Sequence, residues 1–444
     1  MNVLILDIDS LRPDHLGCYG YDRDTSPRID ELAEDSTVFT RAYAASSPSL
    51  PSRASLLTGR YSVSHGVVSH GTEALKLDSP EYWPAWRKKD WDGDLLDWWT
   101  LPERFFRSDF YAVGVSSEPR HPAPWINQAW DEFHQPREPE GEKETQATVR
   151  GEDVSDRALD ALKSVEDEFF MYIQFWDPHI PCDRPDGELE AYRGGLPGYL
   201  DEVEFESEGW NGPPSLDIES RNDLREIVAG YDAEINHVDR QVGRLLDELE
   251  RQGIYDETLV VLVGDHGEEF GENGVFREHW SVHEGTQRIP VILKPPYSTG
   301  GERRDELVTN VDLAPTVADY AGLQLPGRWQ GESVRQLVED GSADWREKIV
   351  VDHGLYTVQR ALVRKDGKKL VKTLHDGMRE LPREQLFDLE EDRYEREDLS
   401  GEFPELVEEM EEEMEEWVED RLVTPGDPLL KLAERGPAAY RYNG

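Results

Sequence analysis

Three apolar runs of this 444-residue chain end in acid or imidazole. "NVLILDID" ends at Asp9, "FFMYIQFWDPH" at Asp177 and His179, and "TLVVLVGDHGEE" runs into Asp265 and His266. Asp9 and Asp265 offer hard oxygen donors for a divalent cation, and His266 adds an imidazole. Carboxylates meeting without a cation would repel one another and be driven toward their protonated forms. Taken singly, each reads better as a cap for the helix behind it. Asp7 lies two residues before Asp9 on the same strand face, as a further ligand or, preferably, an ion-pair partner. In "DHGEEFGENG" the paired glycines would let backbone approach a ligand closely.

A second concentration of chemistry lies in "SPSLPSRASLLTGR", Ser47 to Arg60. Pro51 suits the first turn of a helix and Gly59 its end. Ser49 then stands at the N-terminus, where free N–H groups and the positive dipole end favour an anion. Arg53 follows one turn later, and helical side chains lean toward the N-terminus, so its guanidinium can reach back over Ser49. The outcome is a nucleophile position, an anion-stabilising helix end and a bidentate oxyanion clamp. A redundantly capped surface helix would use the same residues.

Positioning these groups requires elements that converge. The run opening the chain and the runs at Phe170–Phe175 and Thr258–Gly264 read as buried parallel strands. Helix patterns lie between them. One covers Ser26 to Ala33. Another is the amphipathic "IVAGYDAEINHVDRQVGRLLDELERQG", with Tyr231, Ile235, Val238, Val242, Leu245 and Leu249 on one face and Gly253 closing it. Alternating strands and helices predict a doubly wound α/β sheet, in which ligands gather outside the carboxyl ends of the strands. Residues 1–344 are assigned to this catalytic domain. From 345 the texture changes to short antiparallel strands ("KIVVDH", "QRALVRKDGKKLVKT", "EQLFDLEED") and a long acidic helix with Leu406, Met410, Met414 and Trp417 on one face. Residues 345–444 are therefore read as a smaller α+β subdomain, irregular from about Thr424. The stretches 136–152 and 201–223 read as polar loops.

Composition narrows the function classes. The formal charge is −47, from 95 acidic and 48 basic residues, and only 12 of the basic residues are lysine. Such a hydrated, acid-rich surface suits concentrated salt, where repulsion is screened within a few ångströms. It predicts a halophilic protein and excludes nucleic acid and anionic membranes as partners. Two cysteines, Cys18 and Cys182, provide no disulfide framework. Cys18 reads as a small buried thiol rather than a nucleophile. With no basic leader and no long apolar run, the expectation is a soluble cytoplasmic protein. Trp83, Trp86, Trp91, Trp98, Trp99, Trp125 and Trp130 crowd one region, as core filling or as a sugar-stacking surface.

The segment Ser49-Leu50-Pro51-Ser52-Arg53-Ala54-Ser55-Leu56-Leu57-Thr58-Gly59 resembles the signature of the sulfatase family within the alkaline-phosphatase superfamily. "NVLILDIDSLRPDHLGCYGY", "GRYSVSHGV", "FFMYIQFWDPHIP", "VGDHGEEFGE", "NVDLAPTVADYAGL" and "LFDLEEDRYEREDL" resemble further family segments over nearly the whole chain. The resemblance implies an alkaline-phosphatase-like doubly wound mixed sheet and hydrolysis of a sulfate ester. Ser49 would be converted to formylglycine by a maturase, and its hydrate would attack sulfur or phosphorus. Asp9, Asp265 and His266, with the Ser49 oxygen, would hold one divalent cation, calcium first, with manganese, magnesium or zinc as alternatives. Arg53 would hold the nucleophile, His179 the leaving ester or sulfate, and His279 the transferred group, with His283 as its rival. His65 would orient the nucleophile. The substrate would be a small molecule or glycan carrying a sulfate ester, and the oligomeric state stays open.

The chain departs from the family pattern at three places. Ser10 stands where the family has a second aspartate. His266 stands where it has Asn, as in relatives that cleave phosphonate and phosphate esters. The family's Lys-x-His segment is replaced within "GVSSEPRHPAP", leaving Ser117, Arg120 or His121 as substitutes. Two rivals follow: a phosphodiesterase or phosphonate monoester hydrolase with the same machinery, and a catalytically silent paralogue that binds anionic glycans.

Overall fold

The computed structural model describes residues 1–80, 83, 88, 93–116, 123–136, 149–180, 182, 184–201, 220–341, 344–377, 379–423, 426–437 and 439. Its centre is an eight-stranded mixed sheet. In spatial order the strands are Glu302–Arg304, Thr37–Phe39, Val291–Lys294, Thr258–Gly264, Asn2–Ile8, Phe169–Phe175, Tyr111–Val115 and Glu132–His134. The three apolar runs read from sequence are its adjacent parallel centre, and all seven residues of each are buried. Val291–Lys294 runs antiparallel to both its neighbours, which makes the sheet mixed.

Register does the positioning. Ile8 pairs with Phe175 on one side and with Gly264 on the other. Asp9 and Asp265, each the next residue, therefore emerge level and side by side at the carboxyl edge, with Asp177 and His179 just beyond on the other flank. Helices cover both faces. Pro27–Glu34, Gly151–Ser164 and the 32-residue Arg221–Gln252 pack on one side. Ser220 caps the long helix by accepting from Asp223 N–H, and Gly253 ends it at φ +73°. On the opposite face, Ser49–Thr58 and Leu313–Tyr320 bury Leu50, Ala54, Leu57, Leu313 and Val317.

A second sheet follows residue 345, in the order Glu384–Asp388, Lys368–His375, Val358–Arg364, Lys348–His353 and Ser46–Ser47. Its last strand comes from the first part of the chain and pairs parallel with Asp352–His353. The helix Pro404–Arg421 lays Val407, Met410, Met414 and Trp417 on this sheet. Each such side chain contributes about 1.5–3 kcal/mol by leaving water. The tail is not irregular throughout: Pro428–Arg435 is a helix, N-capped by Asp427 and buried through Leu429 and Leu432. The stretches 136–152 and 201–223 lie largely outside the described residues, and their far ends already belong to helices Gly151–Ser164 and Arg221–Gln252. Among the described residues, no helix is long and apolar enough to cross a membrane.

Candidate active site

Ser49 is the first residue of helix Ser49–Thr58, and Gly59 ends that helix at φ +59°. A Cβ at Gly59 would also press on Trp329, 2.9 Å away, so the terminator is constrained by packing as well as by conformation. The entrance is pinned to the sheet edge by Ser52. Its hydroxyl donates to the Asp265 carbonyl at 2.5 Å, while Asn310 Nδ2 donates to Ser52 Oγ at 2.8 Å. Ser49 Oγ thereby comes to 3.1 Å from His266 Nε2. His266 Nδ1 lies 2.8 Å from the Gly267 carbonyl, which only accepts, so that nitrogen carries the proton. In the neutral ring Nε2 then has its lone pair toward Ser49; it lies 3.9 Å from Asp9 and 3.6 Å from Asp265.

Arg53 is fully buried among three carboxylates. Its Nε donates to Asp7 Oδ2 at 2.8 Å, Nη2 lies 3.1 Å from Asp9 Oδ2, and Nη1 lies 3.0 Å from Asp265 Oδ2. Asp7 is thus the ion-pair partner, held on its other side by the Tyr172 hydroxyl. Burial pushes Asp7 above the ordinary carboxylate range despite Arg53. For Asp9 the same burial penalty is outweighed by Arg53, His179 and His266, and the group is held below that range. His266 is shifted upward, since Asp265 and Asp9 outweigh its burial.

These residues fit a divalent cation. One ligand atom each from Asp9, Asp265 and His266 lie within 4.8 Å of one another, all three residues buried. Asp9 Oδ2 and Asp265 Oδ2 face the Arg53 guanidinium as ion pairs but have no hydrogen-bond partner. Three carboxylates face a single guanidinium, leaving negative charge that a cation would neutralise.

Two histidines complete the cluster. His279 stacks on His266 with ring centroids 4.0 Å apart, and His179 lies 6.1 Å from His279. His179 Nδ1 donates to the Ile180 carbonyl at 2.9 Å, and burial, with His279 nearby, lowers its proton affinity. His283 points elsewhere: its Nδ1 lies 3.2 Å from Glu395 in a buried cluster with Lys369 and Glu284. Between the rivals, the structure brings His279 to the site. The hydrogen bonds of His65 do not reach Ser49. Its ring bonds Ser55 Oγ at 3.0 Å, and Ser55 in turn donates to the Pro51 carbonyl, so any effect on Ser49 passes through the helix. Ser117, Arg120 and His121 lie outside the described residues. Cys18 sits beside Asp30, its backbone N–H donating to that carboxylate, away from the cluster. Trp130 stacks on Phe170, and Trp125 is buried, which is core filling; Trp86 and Trp91 lie outside the described residues.

Sequence reasoning passed over Glu268 and His353. Glu268 lies 3.9 Å from His279 Nδ1 and 3.7 Å from Arg277. Burial would raise its pKa, but His279, Arg277 and His179 push it down to about 2. The signal for Glu268 lies in "DHGEEF", where it follows the ligand candidates Asp265 and His266 within three residues. The reason for Gly267 is also different: a Cβ there would sit 2.2 Å from the Gly285 carbonyl, so close chain packing, not ligand approach, requires it.

The fold as a whole matches solved structures. One, solved with its substrate D-glucosamine-2-N,6-O-disulfate, gives a TM-score of 0.75 at 19% identity, covering 94% of this chain and 98% of that one. The phosphonate monoester hydrolase of Agrobacterium radiobacter gives 0.72 at 20%, covering 98% and 99%. The architecture is the alkaline-phosphatase-like fold, a mixed central sheet flanked by helices with a smaller C-terminal sheet. A family model described as sulfatase matches residues 1–323, and one described as N-sulphoglucosamine sulphohydrolase, C-terminal, matches residues 271–420. The chain belongs to the sulfatase family, hydrolases acting on sulfuric ester bonds. An arylsulfatase of Clostridium perfringens is 25% identical over 491 residues, covering 97% of both chains.

Proposed function

We propose that this sulfatase cleaves the sulfate ester of a small molecule or glycan at Ser49, matured to formylglycine, beside a divalent cation held by Asp9, Asp265, His266 and the Ser49 oxygen. Calcium is the first candidate by family resemblance. The observation that carries the reading is the 3.1 Å approach of Ser49 Oγ to His266 Nε2 at a helix entrance one turn from Arg53. When present, the cation and the aldehyde hydrate would supply charge neutralisation and a nucleophile that a free serine hydroxyl lacks at neutral pH.

The remaining residues have roles of their own. The Ser49 helix entrance and Arg53 favour a tetrahedral anion. His179, with Nδ1 tied to Ile180, keeps Nε2 free to take or return a proton. His279, with Nδ1 toward Glu268, has its other nitrogen available to the ester oxygens.

Peptide mass spectrometry of the fragment containing Ser47–Arg53 tests the central step, because conversion removes two hydrogens from Ser49. Active enzyme from its own host should carry the converted residue, and Ser49→Ala should be inactive. Active enzyme with intact serine would exclude formylglycine, and an active Ser49→Ala variant would exclude Ser49 altogether. The second reading, phosphodiester or phosphonate monoester hydrolysis, is favoured by the imidazole of His266 directly after Asp265. Paired assays on sulfate esters and phosphodiesters decide between the two. Binding of anionic glycans without turnover under every metal would support the silent paralogue.

A further inference from the structure

The residue two before Ser49 is held more firmly than a connecting loop requires. Ser46–Ser47 is a strand of the C-terminal sheet, parallel to Asp352–His353. Ser47 is fully buried, and its Oγ lies 2.8 Å from His353 Nδ1 and 2.7 Å from Gln287 Nε2. The tautomer of His353 follows from its other side. The Leu355 N–H donates to His353 Nε2 at 3.3 Å, so Nε2 is the acceptor and the ring proton sits on Nδ1. Nδ1–H and the Gln287 amide then both donate to Ser47 Oγ, and two donors fill its two lone pairs. Burial, with His279 and His266 nearby, keeps His353 neutral, which preserves this arrangement.

The strand that carries His353 is itself anchored. Arg360 Nε donates to Asp352 Oδ1 at 2.6 Å, Ser62 Oγ donates to Asp352 Oδ2 at 2.5 Å, and Gln287 Nε2 reaches the Asp352 carbonyl at 3.1 Å. Arg360 Nη1 extends the chain to Asp427, the cap of the last helix, at 2.6 Å. These hydrogen bonds reach Ser46 and Ser47 rather than Ser49, and they hold the strand that leads into it through Pro48.

We propose that His353 is a positioning residue: acting through Ser47, it holds the Ser49 backbone in its reactive placement at the helix entrance. The C-terminal sheet is then part of the catalytic machinery. The inference rests on Ser49 being the reacting residue.

The test compares His353→Leu, His353→Asn, Ser47→Ala and the double variant Ser47→Ala/His353→Leu in the full-length enzyme. Turnover of an aryl sulfate is corrected for the converted fraction of Ser49, measured by mass spectrometry. A misplaced reacting group costs on the order of 10- to 100-fold. His353→Leu should lose that much in kcat with KM within about twofold of wild type. His353→Asn should recover most of it, since its amide N–H can stand where Nδ1–H does. The double variant should be no worse than His353→Leu alone, because both changes cut one link. Unchanged kcat in His353→Leu, an Asn variant as poor as Leu, or losses that multiply would each overturn the proposal. If His353→Leu does not fold, Ser47→Ala carries the test, and an unchanged kcat there overturns it. Ser49→Ala separates the two readings. If it is active, the Ser49 assignment fails; if it is inactive while His353→Leu is fully active, only the positioning role fails.

Discussion

Replacing Arg53 by Met removes one positive charge from among three buried carboxylates while keeping most of the side-chain volume. In the structure the guanidinium lies 2.8 Å from Asp7, 3.1 Å from Asp9 and 3.0 Å from Asp265. At about 3 Å and an effective dielectric near 20, each contact carries roughly 5 kcal/mol of Coulomb attraction, most of it offset by the desolvation of both partners. Removing one member of such a cluster leaves the others uncompensated, at a cost of about 3–5 kcal/mol. Arg53→Met should therefore be destabilised by that amount in denaturant melts of metal-free protein. Adding Asp7→Asn in the same chain should recover part of the loss, because it removes the carboxylate that Arg53 pairs with most closely. Added calcium should stabilise the single variant more than wild type, since the site it enters is one charge more negative; a tenfold gain in affinity corresponds to about 1.4 kcal/mol at saturating ion. Turnover should fall by about 100- to 1,000-fold, the usual loss when an oxyanion-stabilising donor is deleted. A metal-free Arg53→Met within 1 kcal/mol of wild type would refute this account of the cluster. So would a double variant no more stable than the single one.

Three further outcomes are expected. Asp265→Ala should abolish turnover with the fold retained by circular dichroism, and chelation should inactivate wild type reversibly; full activity in a metal-stripped sample would contradict the cation site. The −47 charge leads us to propose that stability rises with salt, so the melting temperature should climb from low to molar KCl, where screening acts within about 3 Å, and a flat or falling curve would exclude halophilic adaptation. Glu278 is pushed up to about 7, chiefly by burial with Glu268 adding to it, so its folded pKa exceeds its unfolded one, and stability should decline as pH rises from about 4.5 to about 7. Glu278→Gln should flatten that slope and add up to about 3 kcal/mol above pH 7; an unchanged slope would show that Glu278 does not titrate there.

The central strands and their terminal acids were legible because they follow local rules. An uninterrupted apolar run marks a strand buried on both faces, and its first polar residue marks the carboxyl edge where ligands collect. Asp9, Asp265 and His266 follow from that rule. Arg53 follows from helical geometry, although it reaches across to the strand carboxylates as well as lying one turn from Ser49. His353 and Gln287 had no such signal. Their place depends on Ser46 and Ser47 pairing with residues 352 and 353, some 300 positions away in the chain, and no local pattern encodes a contact of that range. The tail helix was passed over for a different reason. "DPLLKLAERG" carries an Asp cap, a Pro at the first position and buried leucines, but eight residues are too short for helical periodicity to declare itself.

Ser10, where the sulfatase resemblance leads one to expect a second aspartate, orders the two carboxylates that are present. The residue sits at φ +56°, a conformation that non-glycine residues seldom adopt. That turn aims its backbone N–H at Asp265 Oδ1, 3.0 Å away, and lets its hydroxyl donate to Asp9 Oδ1, also at 3.0 Å. Its own carbonyl is held by the Tyr231 hydroxyl at 2.6 Å from the long helix. One oxygen of each aspartate is thereby occupied and its carboxylate plane fixed, while Oδ2 of each is left to the ion pair with Arg53. An aspartate at position 10 would have added an oxygen donor and another buried negative charge; serine instead orients the two carboxylates already present. Fewer protein oxygens would then face the proposed cation, and more of its coordination would have to come from outside Asp9, Asp265 and His266. Under the reading proposed above, in which Ser49 supplies one of those oxygens, ion binding would be tied closely to the reacting residue.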